Sequence, residues 1–178
     1  MVRCFIGIFL PETVKSEVIN IQEGLKRLPI ECKLVEKDNL HISLSFLGEI
    51  DDGKIEEIKK KLVEICSSIT KFKVIVHQLK LIPTEKYVRV IALDVFDEQK
   101  MLIALSKMIK EEIGGDAKPP HITLCRVKNI TDKQLFAQKI KELEIKTSEF
   151  VVDKICLIKS ELRRQGPFYS MLDGASLV

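Results

Sequence analysis

Apolar and polar positions along this chain follow two periods, and the switches between them mark out its elements. Arg3 to Leu10 is a β-branched and aromatic run stopped by Pro11, which predicts a buried strand. From Thr13 the period changes: Val14, Val18, Ile21, Leu25 and Leu28 fall at helical spacing, and Pro29 ends the helix. Cys32 to Val35 predicts a short strand, a polar turn occupies Glu36 to Asn39, and Ile42 to Leu47 returns to strand before Gly48. Asp51 or Asp52 can cap a helix running to Ile69, with Ile55, Ile58, Leu62, Ile65 and Ile69 as its apolar stripe. Phe72 to Ile82 and Tyr87 to Phe96 predict two strands around a turn at Pro83 to Lys86.

The second half uses the same grammar. Glu98 to Ile113 predicts a helix stopped by Gly114 and Gly115. A loop from Asp116 to Pro120 leads into the strand Ile122 to Val127, and Thr131 or Asp132 opens a helix to about Lys146. Phe150 to Ser160 and Phe168 to Leu172 read as the last strands, with a turn at Arg163 to Pro167 and looseness confined to Gly174 to Val178. Strands and helices mix without regular βαβ alternation, so the fold class is α+β with mainly antiparallel sheets. No linker divides the chain, so residues 1–178 are expected to form one domain of two similar lobes.

Composition narrows the function classes. Of 178 residues, 46% are hydrophobic and 31% charged, with a net charge of +3, which is a globular, soluble profile. That charge is too small to announce a general nucleic-acid binder but suits an anionic ligand wherever the positive charge is local. The N-terminal apolar run is too short for a signal peptide or a membrane span. Five cysteines, Cys4, Cys32, Cys66, Cys125 and Cys156, never stand at C-x-x-C spacing; neither a disulfide framework nor a zinc knuckle is indicated, and a reducing cytoplasm is the expected location.

The candidate chemistry sits in a near-repeat. Leu40-His-Ile-Ser-Leu and Pro120-His-Ile-Thr-Leu use two of the three histidines in the chain. In a strand, residues i and i+2 share a face, so His41 points with Ser43 and His121 with Thr123, while Ile42, Leu44, Ile122 and Leu124 point into packing. Two such strands about a pseudo-two-fold axis would aim two imidazoles and two hydroxyls into one groove. Imidazole titrates near pH ~6.5, so one ring can take a proton from water while the other protonates a leaving oxygen. The hydroxyls can donate to non-bridging phosphate oxygens, and a strained cyclic phosphate needs no metal for that chemistry.

Other readings stand beside this one. Two paired core strands would give the same letters with no chemistry. Two histidines fall short of a metal ligand set, and no His-x-x-x-His or Cys pair completes one. Ser43, Thr123 or Cys125 as a covalent nucleophile lacks a nucleophile elbow. His77, with Leu79 at +2, reads as a structural or surface histidine. Arg126 falls on the opposite face from His121 in a regular strand and reaches the groove only through a bulge or at the strand's end. A non-catalytic RNA or nucleotide-binding module would keep the same cleft.

Four segments together resemble the 2H phosphoesterase superfamily, in particular its RNA 2′,3′-cyclic phosphodiesterase branch, also called 2′-5′ RNA ligase. They are Arg3 to Pro11, Asn39 to Glu49, Pro119 to Arg126 and Ser160 to Tyr169, in the family's order and spanning almost the whole chain. The resemblance implies a bilobal α+β fold, two mainly antiparallel sheets lining a central cleft with helices outside. It implies hydrolysis of RNA 2′,3′-cyclic phosphate ends to 2′-phosphates without a cofactor, and reversible 2′-5′ ligation when a 5′-hydroxyl replaces water. His41 and His121 would be the catalytic pair, with His121 activating water and His41 protonating the 3′ oxygen. Ser43, Thr123 and Arg126 would hold the phosphate. Ser43 stands where relatives usually have threonine, and relatives' tryptophans near Leu34 and Ala92 have no counterpart, since the chain has none. Phe46, Tyr87 and Tyr169 remain as stacking candidates, and Lys118, Arg163, Arg164 and Tyr169 as RNA contacts. The expected partners are RNA ends or small cyclic nucleotides, not a membrane, and the expected state is a monomer.

Overall fold

Each β-branched run of the sequence becomes a strand, and the helices fill the gaps between them. In the computed structural model, which describes residues 1–164 and 166–178, the order is β1 (Val2–Phe9), α1 (Glu12–Leu25), β2 (Ile30–Leu34), β3 (His41–Ile50), α2 (Ile55–Cys66), β4 (Phe72–Thr84) and β5 (Tyr87–Phe96). It continues with α3 (Met101–Glu112), β6 (His121–Ile130), α4 (Lys133–Lys139), β7 (Ser148–Val152), β8 (Lys154–Arg163) and β9 (Gly166–Ser176). A 3-10 turn at Lys37–Asn39 leads into β3. Gln165, in the turn predicted at Arg163 to Pro167, lies outside the described residues. Among the described residues no helix is long and apolar enough to cross a membrane.

The strands form two antiparallel half-sheets. One runs β3-β1-β8-β9; the other runs β6-β5-β4-β7, with β2 on the second edge of β6. The two expected sheets merge into one curled surface through a single pair between β3 and β6, Ile42 opposite Ile122. Both side chains are fully buried. The helices cross over between lobes: α1, which follows β1 of the first half, packs on β6 and β7 of the second, and α3, which follows β5, packs on β3. Gln22 of α1 is buried and ties the crossing down, its amide donating to the carbonyls of Val35 and Leu124 at 2.8 and 2.9 Å. The resulting pseudo-symmetry matches β1, β3 and α2 with β5, β6 and α4.

Four elements differ from expectation. The run Phe150 to Ser160 is two strands, not one: β7 pairs with β4 and β8 with β1, so the chain changes half-sheet at Asp153. Val152 and Ile155 are both core residues, which made the stretch look continuous. The helix predicted to Lys146 stops at Lys139 and a 3-10 turn, because Leu143 leaves the helical track to pack against Gly24 of α1. Helix α3 starts at Met101 rather than Glu98: the buried Asp97 carboxylate accepts from the amides of Met101 and Leu102. The C-terminus is ordered, with Ala175 and Leu177 buried and Val178 bonded to Ile69 and Lys71 through backbone groups.

Both histidine strands carry a bulge at the same offset. Along β1, Gly7 faces Ser43 and Ile6 faces Ser45; along β5, Ala92 faces Thr123 and Ile91 faces Cys125. Leu44 and Leu124 are therefore extra residues, and the alternation of inward and outward side chains flips after each. Gly7 and Ala92 occupy matching places, but a methyl group at Gly7 would stand 2.5 Å from the Ile42 carbonyl oxygen. Gly7→Ala is expected to destabilise the fold by about 1–3 kcal/mol, the usual cost of overpacking against backbone. Urea unfolding measures the loss, and Ala92→Gly, with no such contact to relieve, should not mirror it by gaining stability.

Candidate active site

His41 opens β3 and His121 opens β6, on strands that run antiparallel and touch at Ile42 and Ile122. The isoleucines point into the core, so His41, Ser43, His121 and Thr123 all emerge on the other face, two from each side of the pair. The backbone repeats the arrangement at the level of single bonds. His41 Nδ1 donates to the carbonyl of Asn39 at 2.6 Å, and His121 Nδ1 donates to the carbonyl of Pro119 at 2.8 Å. Each bond fixes the proton on Nδ1 and leaves Nε2 for chemistry in the groove. At His41, the Ser43 hydroxyl donates to Nε2 at 2.8 Å.

The two rings differ in their surroundings. Beside His41 on β1 are Phe9, its register partner, and Phe5, whose ring centre is 4.8 Å from the imidazole. Tyr169 of β9 meets His41 edge-on, at 5.1 Å and 89°, and meets Phe5 at 5.0 Å. Phe5, Cys156 and Ile158, with Phe9 and Tyr169 against them, form a small apolar cluster on the groove face. Burial in this box pushes the His41 pKa down to about 4, against the Asn39 carbonyl, which favours the charged ring; the positive charges of His121 and Arg126 add to the depression. Burial also raises the Tyr169 phenol, while Arg126 and Arg3 pull it back.

Around His121 the wall is polar. Its register partner on β5 is Asp94, whose carboxylate holds Lys80 Nζ at 3.1 Å and lies 3.8 Å from His77 Nε2. His77 is the bulged residue of β4, skipped between the pairs at Val76 and Gln78. It stays outside the histidine pair; its partner Asp94 is in register with His121.

The bulge in β6 settles the place of Arg126. With Leu124 and Cys125 both buried, Arg126 turns to the exposed groove face rather than the face a regular strand would give it. The same flip sends Cys125 into the core, off the His121 face expected from i+2 spacing. Burial, with Cys32 beside it, pushes the Cys125 thiol up to about 12, which disposes of it as a nucleophile. Phe46 takes the position in β3 that Arg126 takes in β6; it is exposed, 5.9 Å from Phe5, with Lys118 Nζ 5.7 Å above its ring. Lys118 also pairs with Asp116 at 3.6 Å.

The remaining RNA candidates lie on the β8–β9 hairpin. Arg163 stacks on Phe168 at 3.5 Å and lies 3.6 Å from Glu161, and Arg164 is exposed at the hairpin turn. Tyr87 is exposed under Arg89 at the tip of β4–β5, not beside the imidazoles. Sequence reasoning missed Asn39, Phe5 and Asp94. Asn39 and Phe5 lie inside the quoted segments but carry no chemistry of their own, and Asp94 faces His121 only through cross-strand register. Among the described residues no group of three or more His, Cys, Asp or Glu could hold a metal ion.

The sequence matches the family described as LigT like phosphoesterase over residues 8–92 and 95–169. A relative named RNA 2′,3′-cyclic phosphodiesterase from Methanocaldococcus jannaschii is 34% identical over 177 residues, covering 96% of this chain and 98% of its own length. Among solved structures, TT0787 of Thermus thermophilus superposes with a TM-score of 0.79 at 23% identity, over 98% of this chain and 97% of its own. E. coli LigT complexed with 3′-AMP gives 0.77 at 23%, over 99% and 98%. With two histidine strands closing on one groove and a match across nearly its full length, this chain belongs to the LigT-like phosphoesterases of the 2H superfamily.

The depressed His41 pKa has a thermodynamic consequence. Native His41 stays neutral to about pH 4, while in the unfolded chain it takes a proton near pH ~6.5. The unfolded state binds more protons between those values, so stability falls as pH drops through that window and is flat in this term above it. His41→Gln is expected to remove that part of the slope, read as the difference in urea midpoint between variant and parent from pH 7 to 4.

Proposed function

We propose that this chain hydrolyses RNA 2′,3′-cyclic phosphate ends to 2′-phosphates, with His41 and His121 as the proton-transferring pair and no metal in the step. The observation that carries the reading is the matched presentation of both imidazoles, each with Nδ1 bonded to the carbonyl two residues before it and Nε2 left for the groove. In the reaction a water oxygen attacks phosphorus as one ring accepts the water's proton. The bond from phosphorus to the 3′ oxygen breaks, and the other ring gives that oxygen a proton. The rings end with exchanged protonation and reset through solvent.

The walls of the site favour an order of roles opposite to the one the resemblance suggested. His41, kept neutral by its apolar box, suits the base, which leaves proton donation to His121. Ser43 and Thr123 are placed to donate hydrogen bonds to phosphate oxygens, and Arg126, on the groove face, adds a fork that fits phosphate. The names of the relatives support RNA as the substrate, and the E. coli LigT structures with 3′-AMP and ATP support a nucleotide in the groove. With a 5′-hydroxyl in place of water the same transfer joins two ends through a 2′-5′ bond, a secondary activity. Five free cysteines fit a reducing cytoplasm as its setting.

An oligonucleotide ending in a 2′,3′-cyclic phosphate is expected to give 2′-phosphate product in excess chelator. His41→Ala and His121→Ala should each lose ~10²–10⁴ in turnover while still binding, and the parent's rate should trace a bell against pH. Full turnover in either variant removes that residue from the mechanism and favours a binding module. For the RNA contacts, Arg163→Ala with Arg164→Ala is expected to weaken an oligonucleotide more than a mononucleotide, and to lower the slope of log affinity against log salt by about one per lost phosphate contact. Fluorescence anisotropy across a salt series reads both.

A further inference from the structure

The chain between the two half-sheets holds a buried polar side chain that the reaction does not use. Asn39 ends the 3-10 turn before β3 and is only 5% exposed. Its amide nitrogen donates to the carbonyl of Pro167 at 2.7 Å, and its side-chain oxygen accepts from the amide of Tyr169 at 3.3 Å. Its own backbone carbonyl is the acceptor for His41 Nδ1. Three bonds from one residue therefore join the β8–β9 hairpin to the imidazole.

The hairpin reaches far for these contacts. It belongs to the outer edge of the first half-sheet, yet its tip crosses to β2 of the second, where Lys33 comes so near Gly166 that an added Cβ would stand 2.7 Å from Nζ. What it carries across is Tyr169, the ring that covers the open edge of His41. Buried polar groups are kept only where their bonds are made, and an asparagine satisfied on both side-chain atoms by one hairpin is a latch for that hairpin.

We propose that Asn39 is the positioning residue of the site: its side chain locks the β8–β9 hairpin so that Tyr169 covers His41, and its carbonyl fixes the ring's tautomer. Asn39 touches no reacting atom and acts through the imidazole. The groups facing His41 are accounted for from every wall: Phe5 and Phe9 of β1 carry no charge, Tyr169 comes from β9, and His121 and Arg126 come from β6. Arg3 acts on Tyr169. None of these changes when the latch is opened, except the cover itself. Opening it admits water to His41 and restores the ring toward ordinary titration. The kinetic consequence rests on the paired-histidine reading; the titration does not.

The test uses the whole chain with Asn39→Ala, which removes both side-chain bonds to the hairpin and adds no charge, together with Tyr169→Ala and Tyr169→Phe. His41 is titrated by its Cε1–H resonance, and kcat/KM is followed against pH on a 2′,3′-cyclic mononucleotide. In Asn39→Ala and Tyr169→Ala the His41 midpoint is expected to climb from about 4 toward the ordinary ~6.5. The acid limb of the rate profile should follow it upward, with kcat falling about tenfold and KM changing less. Tyr169→Phe keeps the covering ring and should leave the midpoint in place. Folded Asn39→Ala and Tyr169→Ala proteins whose His41 midpoint stays near 4 overturn the proposal. If Asn39→Ala does not fold, the two Tyr169 variants decide it by the same midpoint. Turnover retained by His41→Ala would instead count against the paired-histidine reading, and the titration would still judge the latch.

Discussion

Ile42 against Ile122 is the contact on which the rest of the molecule depends. It is a single antiparallel pair, yet it joins the half-sheets, and both side chains are removed from water completely. Strand side chains alternate with a period of two, so burying these two residues forces their neighbours to the opposite face. Those neighbours are the two histidines and the two hydroxyl residues. A slip of one residue would bury four polar groups and expose two isoleucines, a change the core opposes at each position. The face that carries the histidines is thus held by hydrophobic burial on its other side.

Pseudo-symmetry builds the site and local departures from it set its two halves apart. The matched strands share the bulge at Leu44 and Leu124 and the histidine bond to a carbonyl two residues back. They differ in what stands beside each ring: Phe9 in one half against Asp94 in the other, and Phe46 against Arg126 at the bulge. An apolar wall disfavours a charged imidazole at His41, whereas the register partner of His121 is a carboxylate. Two copies of one strand become two different groups because their neighbours diverged. The close approach of the Ile42 carbonyl to Gly7, which leaves no room for a methyl, belongs to the same contrast, since the matching Ala92 carries a buried methyl.

The groove is also closed by a segment distant in sequence. The β8–β9 hairpin leaves the edge of one half-sheet and ends against β2 of the other, pinned by Asn39 on its way. That crossing sets Tyr169 edge-on against the first lobe's histidine. The strand that follows runs eleven residues to Ser176, and the chain's end is bonded to Ile69 and Lys71.

Much of this was legible in the residues themselves. The helical stripes of α1 and α2, the punctuation by Pro11 and Gly48, and the orientation of each His-Ile-Ser/Thr-Leu segment follow from short-range periodicity, because burial selects one face of each element. The same reasoning failed where a neighbour's register or a distant strand decided the outcome. Phe150 to Ser160 read as one strand, since Val152 and Ile155 are both buried; which half-sheet each joins is a matter of pairing. Arg126 and Cys125 exchanged faces at a bulge that periodicity does not encode. Asn39 looked like a turn residue and became a latch only when the hairpin from residue 166 onward arrived. The sequence by itself determined the half-sites and the faces they present, because those depend on backbone geometry and local hydrophobicity. Tertiary structure alone decided that the half-sites meet, and that one imidazole lies against aromatic rings and the other opposite a carboxylate, because such differences come from side chains up to 130 residues away in the chain.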